Sequence, residues 1–201
     1  MVGIRPFSPG DEEALYEVCL RTGDDGQDAT ALYDDPRLLG AVFVGPYLRF
    51  SPELAWVYAD EADVARAYVL GVADTRAFES VLEASWWPQL RARHPLDALP
   101  ANPHDREVVE LIHAPERRPD ELVAAYPAHL HIDLVPEVQG GGRGGAMLRT
   151  LLDALAATGA SGVHLGVARR NERAIGFYEH LGFTPGEAGS TRDELVMVRT
   201  L

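Results

Sequence analysis

The 201-residue chain holds one cysteine, Cys19, and no lysine, so all 18 of its basic residues are arginine. A single thiol excludes an internal disulfide and any cysteine-based zinc site. The missing lysine excludes a nucleotide P-loop, which requires a Gly-Lys-Ser/Thr step. No apolar run approaches the roughly 18 residues of a membrane helix. The start, Met1-Val2-Gly3-Ile4-Arg5-Pro6, lacks an apolar h-region and does not read as a signal peptide. Positive charge is scarce: 31 acidic residues give a net charge of −13. That balance argues against non-specific nucleic-acid binding, which needs many cationic phosphate contacts. An apolar content of 46% excludes general disorder. The default reading of such a chain is a cytoplasmic bacterial protein, one domain long or at most two small ones.

What is present alternates between helix and strand patterns. Ile4–Phe7 reads as a first strand. Ser8-Pro9-Gly10-Asp11 reads as a capped helix start, and apolar residues recur at helical spacing to Arg21. Thr22-Gly23-Asp24-Asp25-Gly26 breaks that helix. A second helix is expected from Asp35-Pro36 to a stop at Gly45-Pro46. Leu54–Tyr58 and Val64–Ala73 read as a hairpin around a polar turn. Residues 75–127 carry 7 of the 14 prolines, three short helical patterns and the pair Trp86-Trp87. Their apolar content is too scattered for a separate core, so they read as a helical insertion in a single domain, 1–201. The tryptophans read as packing anchors. After the insertion, Leu130, Ile132 and Leu134 alternate with His129, His131 and Asp133, as in a strand. A helix over 146–157, a buried strand over 163–167, a helix from Asn171 to Leu181 and a last strand from Leu195 follow.

The segment Gln139-Gly140-Gly141-Gly142-Arg143-Gly144-Gly145 lies between a strand and a helix. Glycines let a backbone approach a ligand closely, and the free first-turn N–H groups of the helix point into such a loop. With the helix dipole, this arrangement suits phosphate or pyrophosphate. Gly140, Gly142 and Gly145 formally satisfy G-x-G-x-x-G. The dinucleotide reading nevertheless fails, because the next strand ends in Val167-Ala168-Arg169-Arg170 and supplies no acidic residue for a ribose.

At this point the sequence resembles a family. Gln139-x-x-Gly142-x-Gly144 is similar to the Q/R-x-x-G-x-G/A motif of GNAT N-acetyltransferases. About 30 residues on, Asn171, Ala174, Phe177, Tyr178, Gly182 and Phe183 match that family's N-x-x-A-x-x-F-Y-x-x-x-G-F helix. A narrower resemblance, carried by Ile4–Phe7, Asp24-Asp25-Gly26, Ser85-Trp86-Trp87-Pro88 and the insertion, is to the acetyltransferase-like domain at the C-terminus of O-GlcNAcase. The resemblance implies an α/β GNAT fold. Its sheet would be mixed, mostly antiparallel and twisted, of six to seven strands flanked by helices, with the insertion before the fourth strand.

The resemblance also implies acetyl-CoA as donor and an amine as acceptor. Backbone groups of Gly140, Gly141, Gly142, Arg143, Gly144 and Gly145 would hold the pyrophosphate. Main-chain groups at Leu134 and Val135 would pair with the pantetheine arm. Asn171 would reach the cofactor or simply cap its helix, or both. Charge agrees: residues 139–178 carry a net +3 within a chain of −13, with Arg143 and Arg173 the best phosphate contacts. Tyr178 falls where the family places the acid that protonates the leaving thiolate. The family's base positions fall on Leu130 and Ala128, which cannot serve. Asp133, His131 and His129 lie on the other face of an ideal strand; a β-bulge could re-aim some of them, and otherwise they form a buried polar cluster or the base is a water chain. Asp133 with His131 are the catalytic candidates, and His129 an acceptor-side candidate. Asp24 and Asp25 read most simply as a solvated turn, and alternatively as acceptor-side groups that attract a cationic amine. A small-molecule acceptor is favoured because the insertion is expected to cover the acceptor cleft. No metal is expected, and neither nucleic acid nor membrane is an expected partner.

Overall fold

A computed structural model describes residues 2–201. The chain opens with β1 (Gly3–Pro6) and α1 (Glu12–Arg21). The expected cap is in place: the Ser8 N–H donates to the Asp11 carboxylate at 2.8 Å, and Arg5 grips the same carboxylate at 2.7 and 2.8 Å. The Gly45-Pro46 step is a break between two helices and not the end of helical structure. α2 (Leu38–Phe43) gives way at Val44 to α3 (Gly45–Phe50), with proline in its first turn, where no N–H is needed. Glycine is required there by close approach, since a Cβ on Gly45 would lie 2.4 Å from the Tyr16 hydroxyl and 2.8 Å from the Trp86 ring.

β2 (Ala55–Ala59) and β3 (Ala65–Val72) form the expected hairpin, and β4 (Ala128–Leu134) pairs with β3 in antiparallel register. β5 (Gly162–Ala168), β6 (Thr184–Pro185) and β7 (Glu194–Thr200) complete a seven-stranded sheet of order β1-β2-β3-β4-β5-β7-β6. The two-residue β6 is too short to leave a pattern in the sequence. Every pairing is antiparallel except β4 with β5. That parallel pair holds only at Ala128↔Val163 and His129↔His164. Beyond it the strands part, and the β4 edge from Leu130 to Leu134 faces a fork instead of a neighbour.

The two faces of the sheet carry separate cores, as alternation demands. Ala67, Val69, Leu130 and Leu165 pack under α8 (Arg143–Ala157), whose Met147, Leu148, Leu151 and Leu155 are fully buried. Tyr68, Leu70 and Val72 pack under α1, α2 and α3. Residues 75–127 add α4 (Thr75–Ser85), α5 (Trp87–Arg93), α6 (Pro103–His113) and α7 (Asp120–Ala125). α5 went unread because Pro88 resembles a break; it sits in the first turn of that helix. Phe78, Leu82, Trp87, Leu90, Val109 and Ile112 share the core of α1–α3. Trp86 donates its indole N–H to the Ala41 carbonyl at 3.0 Å. The last helix is α9 (Glu172–His180). Among the described residues, no helix is long and apolar enough to cross a membrane.

Candidate active site

A cleft of about 560 Å³ opens at the fork between β4 and β5. Its floor comes from His131, Ile132, Asp133 and Leu134 on one side and Gly166, Val167 and Ala168 on the other. The glycine loop and α9 close one end, and the segment 22–27 after α1 closes the other.

The loop end is built from backbone. Gly140, Gly141 and Gly142 have φ of +79°, +60° and +76°, a left-handed run that L side chains avoid. A Cβ on Gly140 or Gly142 would meet nothing within 4 Å, so these positions face open space. α8 starts directly after Gly142; the Arg143 N–H bonds back to the Gly140 carbonyl at 3.3 Å, and the next to bond back is Ala146, to Gly142 at 2.9 Å. The N–H groups of Gly144 and Gly145 therefore have no backbone acceptor among the described residues. Open space, bare N–H groups and the positive end of a 15-residue helix together fit a pyrophosphate.

Arg143 and Arg173 both line the cleft. Arg143 is held back by the Tyr58 hydroxyl at 3.1 Å, with its guanidinium 5.4 Å from the center of that ring. The Gln139 amide donates to the Leu134 carbonyl at 2.8 Å and fixes the loop's approach to the strand. Val135 is buried outside the cleft, its N–H committed to Arg66 at 3.2 Å.

Asn171 does two jobs. Its side-chain oxygen accepts from the Ala174 N–H at 3.0 Å, which caps α9, and its amide donates to the Asp25 carbonyl at 2.9 Å. Arg170 pairs with the carboxylates of Asp24 and Asp25. These contacts tie the segment after α1 to the β5–α9 turn, across the mouth of the cleft. Asp25 lines the cleft and Asp24 does not. Both carboxylates are thus engaged by an arginine, which lessens their pull on an incoming cation.

β4 needs no bulge. Its register with β3 runs unbroken from Val72↔His129 to Ala67↔Leu134. The face carrying Leu130 packs under α8, while His131 and Asp133 already look into the cleft. The expectation of a re-aimed strand is therefore corrected: His131 and Asp133 line the cleft on a regular strand.

The three polar residues on that face differ in how they are engaged. His129 is saturated, with Nδ1 on Thr75 Oγ1 at 2.8 Å and Nε2 on the Tyr47 hydroxyl at 2.9 Å, and it is not among the cleft residues. Thr75 passes its proton to the Pro127 carbonyl at 2.7 Å, so His129 must donate from Nδ1 and accept at Nε2. It is a neutral strut. His131 stands 5.3 Å from the Tyr47 ring, and its ring nitrogens make no hydrogen bond among the described residues. Burial, then the nearby Arg118 charge, pulls its pKa down to about 4, so it is neutral at physiological pH. Asp133 accepts the Tyr68 hydroxyl proton at 2.5 Å, and burial raises its pKa above the usual carboxylate value.

Tyr178 borders the same space. It is 8% exposed, and its hydroxyl finds no partner among the described residues. Burial, with the Asp133 charge adding to it, raises its pKa, so it keeps its proton. The cleft thus brings together Tyr178, Asp133, His131, the glycine loop, Asn171 and Arg173. Sequence reasoning missed Tyr68, Tyr47 and Thr75, which come from distant segments and carry no local motif. It also passed over Gly166, although a glycine inside a buried strand is a recognised mark of close approach.

The insertion supplies no wall of the cleft. Its expected role as a cover over the acceptor is corrected: α4–α7 brace the strand face from behind, through Thr75 and Phe78.

Comparison with known proteins agrees with this geometry. Residues 75–183 match the model of the Acetyltransferase (GNAT) family. The chain is 28% identical over 181 residues to the Protein O-GlcNAcase of Rattus norvegicus, a match covering 89% of this chain. It spans about a fifth of the length of the curated relatives it matches. Against the crystal structure of SsHAT it is 42% identical with a TM-score of 0.90, covering 98% of this chain and 96% of that one. The fold is shared with the NatC complex bound to Gag peptide and CoA, at 9% identity and a TM-score of 0.57, covering 98% and 97% of the two chains. Members of the family bind acetyl-CoA or CoA. A family match over more than half the sequence, a fork between β4 and β5 and an intact glycine loop make this chain a member of the GNAT acetyltransferase family.

Proposed function

We propose that this protein transfers an acetyl group from acetyl-CoA to the amine of a small, cationic molecule, by direct attack with both substrates bound. The observation that carries the reading is one cleft holding an anion loop, a protonated tyrosine and two groups able to take a proton. Acetyl-CoA supplies an activated acyl group on a thiol. Gly140–Gly145 and Arg173 hold its phosphates, and the open β4 edge at Leu134 receives its arm.

An amine attacks only as the free base, so its proton must leave. Asp133, raised toward neutrality by burial, accepts that proton better than an ordinary aspartate. His131 offers an unprotonated ring nitrogen beside it. Tyr178 delivers a proton to the departing sulfur, a fair match between a phenol of pKa ~10 and a thiol of ~8.5 before any shift. Direct attack is favoured because the lone thiol, Cys19, is buried and pushed up to about 12, which unfits it as an acyl carrier. A small acceptor is favoured by the tie between Asp25 and Arg170-Asn171, which joins the segment after α1 to the β5–α9 turn beside the cleft.

The test is thiol release from acetyl-CoA with the wild-type chain against a panel of small amines and lysine peptides. Turnover confined to small amines is expected. Turnover of peptides alone would move the activity to protein lysine. Tight acetyl-CoA binding with no turnover of any amine would leave a non-catalytic binding module.

A further inference from the structure

Asp133 lines the cleft as a carboxylate with no cation acting on it among the described residues. The titratable groups that face it are Tyr68 from β3, Cys19 from α1 and Tyr178 from α9. His131 stands near it on β4 and lines the same cleft. Cys19 is pushed up to about 12, both tyrosines are raised, and His131 is pulled down to about 4. All four are therefore neutral at pH 7. A carboxylate withdrawn from water among neutral groups takes up a proton unless a donor holds its charge.

Tyr68 is that donor. It lies directly opposite Asp133 in the β3–β4 register, and it is 1% exposed, packed in the core with α1. Its hydroxyl donates to Asp133 Oδ2 at 2.5 Å. Thr22 also borders the carboxylate, but its hydroxyl proton is committed to the Val18 carbonyl at 2.8 Å.

The two oxygens of Asp133 are therefore unlike. Oδ2 is tied to the core through Tyr68. Oδ1 makes no hydrogen bond among the described residues, yet it is not one of the unpartnered atoms sealed from solvent. Since Asp133 lines the cleft, Oδ1 is the oxygen left to meet a ligand there. A phenol fixed in the core also stops the carboxylate from turning and exchanging the two.

We propose that Tyr68 is a positioning residue for the transfer: its hydroxyl pins Oδ2 of Asp133, leaves Oδ1 as the atom that takes the amine's proton, and keeps the carboxylate charged until it does. An N–H bond of the acceptor's ammonium breaks and its electron pair stays on nitrogen for attack on the acetyl carbon. The proton forms an O–H bond at Oδ1. Tyr68 keeps its own proton throughout and touches neither substrate. Burial and Tyr68 act in opposite directions on Asp133, so the hydroxyl limits how far burial raises it. The inference rests on the acetyl-transfer reading of the cleft.

The test reads the carboxyl itself, by carbon-13 NMR titration of the full chain without substrate, with D133N identifying the signal. In Y68F, Asp133 should titrate about one pH unit or more above wild type, the size expected for one lost hydrogen bond to a charged group. Thiol release with the best amine should fall about tenfold at pH 7, and that deficit should close as pH rises, with acetyl-CoA affinity unchanged. A carboxyl that titrates as in the wild type, or a deficit equal at every pH, would overturn the proposal. Should Y68F fail to fold by circular dichroism, fluorotyrosine in place of Tyr68 keeps the packing and strengthens the donor. Asp133 should then titrate lower, and an unmoved carboxyl would overturn the proposal equally. Should the carboxyl shift as expected while the wild type releases no thiol with any amine, Tyr68 would stand as the group that holds Asp133 charged and the transferase reading would fall.

Discussion

The two ends of the cleft are made by different means. The loop end is local and uses main chain: six consecutive residues, 140–145, shaped by three left-handed glycines and a helix start. The end beside His131 and Asp133, where the proposed acceptor would sit, is assembled from side chains of distant segments. Tyr47 comes from α3, Tyr68 from β3 and Thr75 from α4. A backbone cradle is indifferent to its neighbours' identity and suits a donor common to many enzymes. A side-chain network can be rewritten residue by residue and suits a particular acceptor. The insertion touches only the second end, which it braces through Thr75 and Phe78.

That contrast can be broken experimentally. The largest effect is expected at Tyr178, which the proposed transfer sets beside the departing sulfur. Tyr178→Phe should lower kcat by about 10²–10⁴, the usual range for a lost general acid, with acetyl-CoA affinity unchanged by calorimetry. Next comes Gly142→Val. Its φ of +76° forbids a β-branched residue, so acetyl-CoA affinity should fall about 100-fold while circular dichroism shows a folded chain. Unchanged affinity would remove the loop from the cofactor site.

A third effect belongs to the acceptor end and appears as stability. His129, His131 and His164 are all held below the ordinary value of 6.5, mainly by burial. The unfolded chain takes up protons at these rings as pH falls below 6.5, whereas folded His131 resists until about 4. Their contribution is therefore complete above 6.5 and is lost as pH falls toward 4, by about 2 kcal/mol or more. Urea denaturation at pH 7.5 and pH 5.0 should show it, and His131→Asn should reduce the difference without abolishing it, since His129 and His164 remain. A stability that does not fall between these values would mean that the rings are hydrated. The smallest effect is expected at Arg170, an exposed partner of Asp24 and Asp25. Arg170→Ala should leave stability almost unchanged and raise the acceptor KM a few-fold.

The same contrast explains what could be read in advance. Gly140–Gly145 and the helix from Asn171 announce themselves because their function requires residue types at fixed local spacing. The sheet could be read because alternation and turn residues are local too. The reactive face of β4 could be listed but not oriented, since only the α8 packing of Leu130 shows which side looks inward. His129 and His131 have the same sequence pattern, yet one is saturated by Tyr47 and Thr75 and the other is open. That difference is made by residues 82 and 54 positions away. Asn171 was legible as both cap and contact, but its bond to Asp25 joins segments 146 residues apart and leaves no local trace.

The central claim is that one end of the cleft binds the donor and the other moves the proton. It is tested most directly by a single variant, Asp133→Asn, read twice. Calorimetry should give an acetyl-CoA affinity within about twofold of wild type, and thiol release with the best amine should fall by about 100-fold or more. Thiol release equal to wild type, or a loss of acetyl-CoA affinity that accounts for the whole fall, would contradict it.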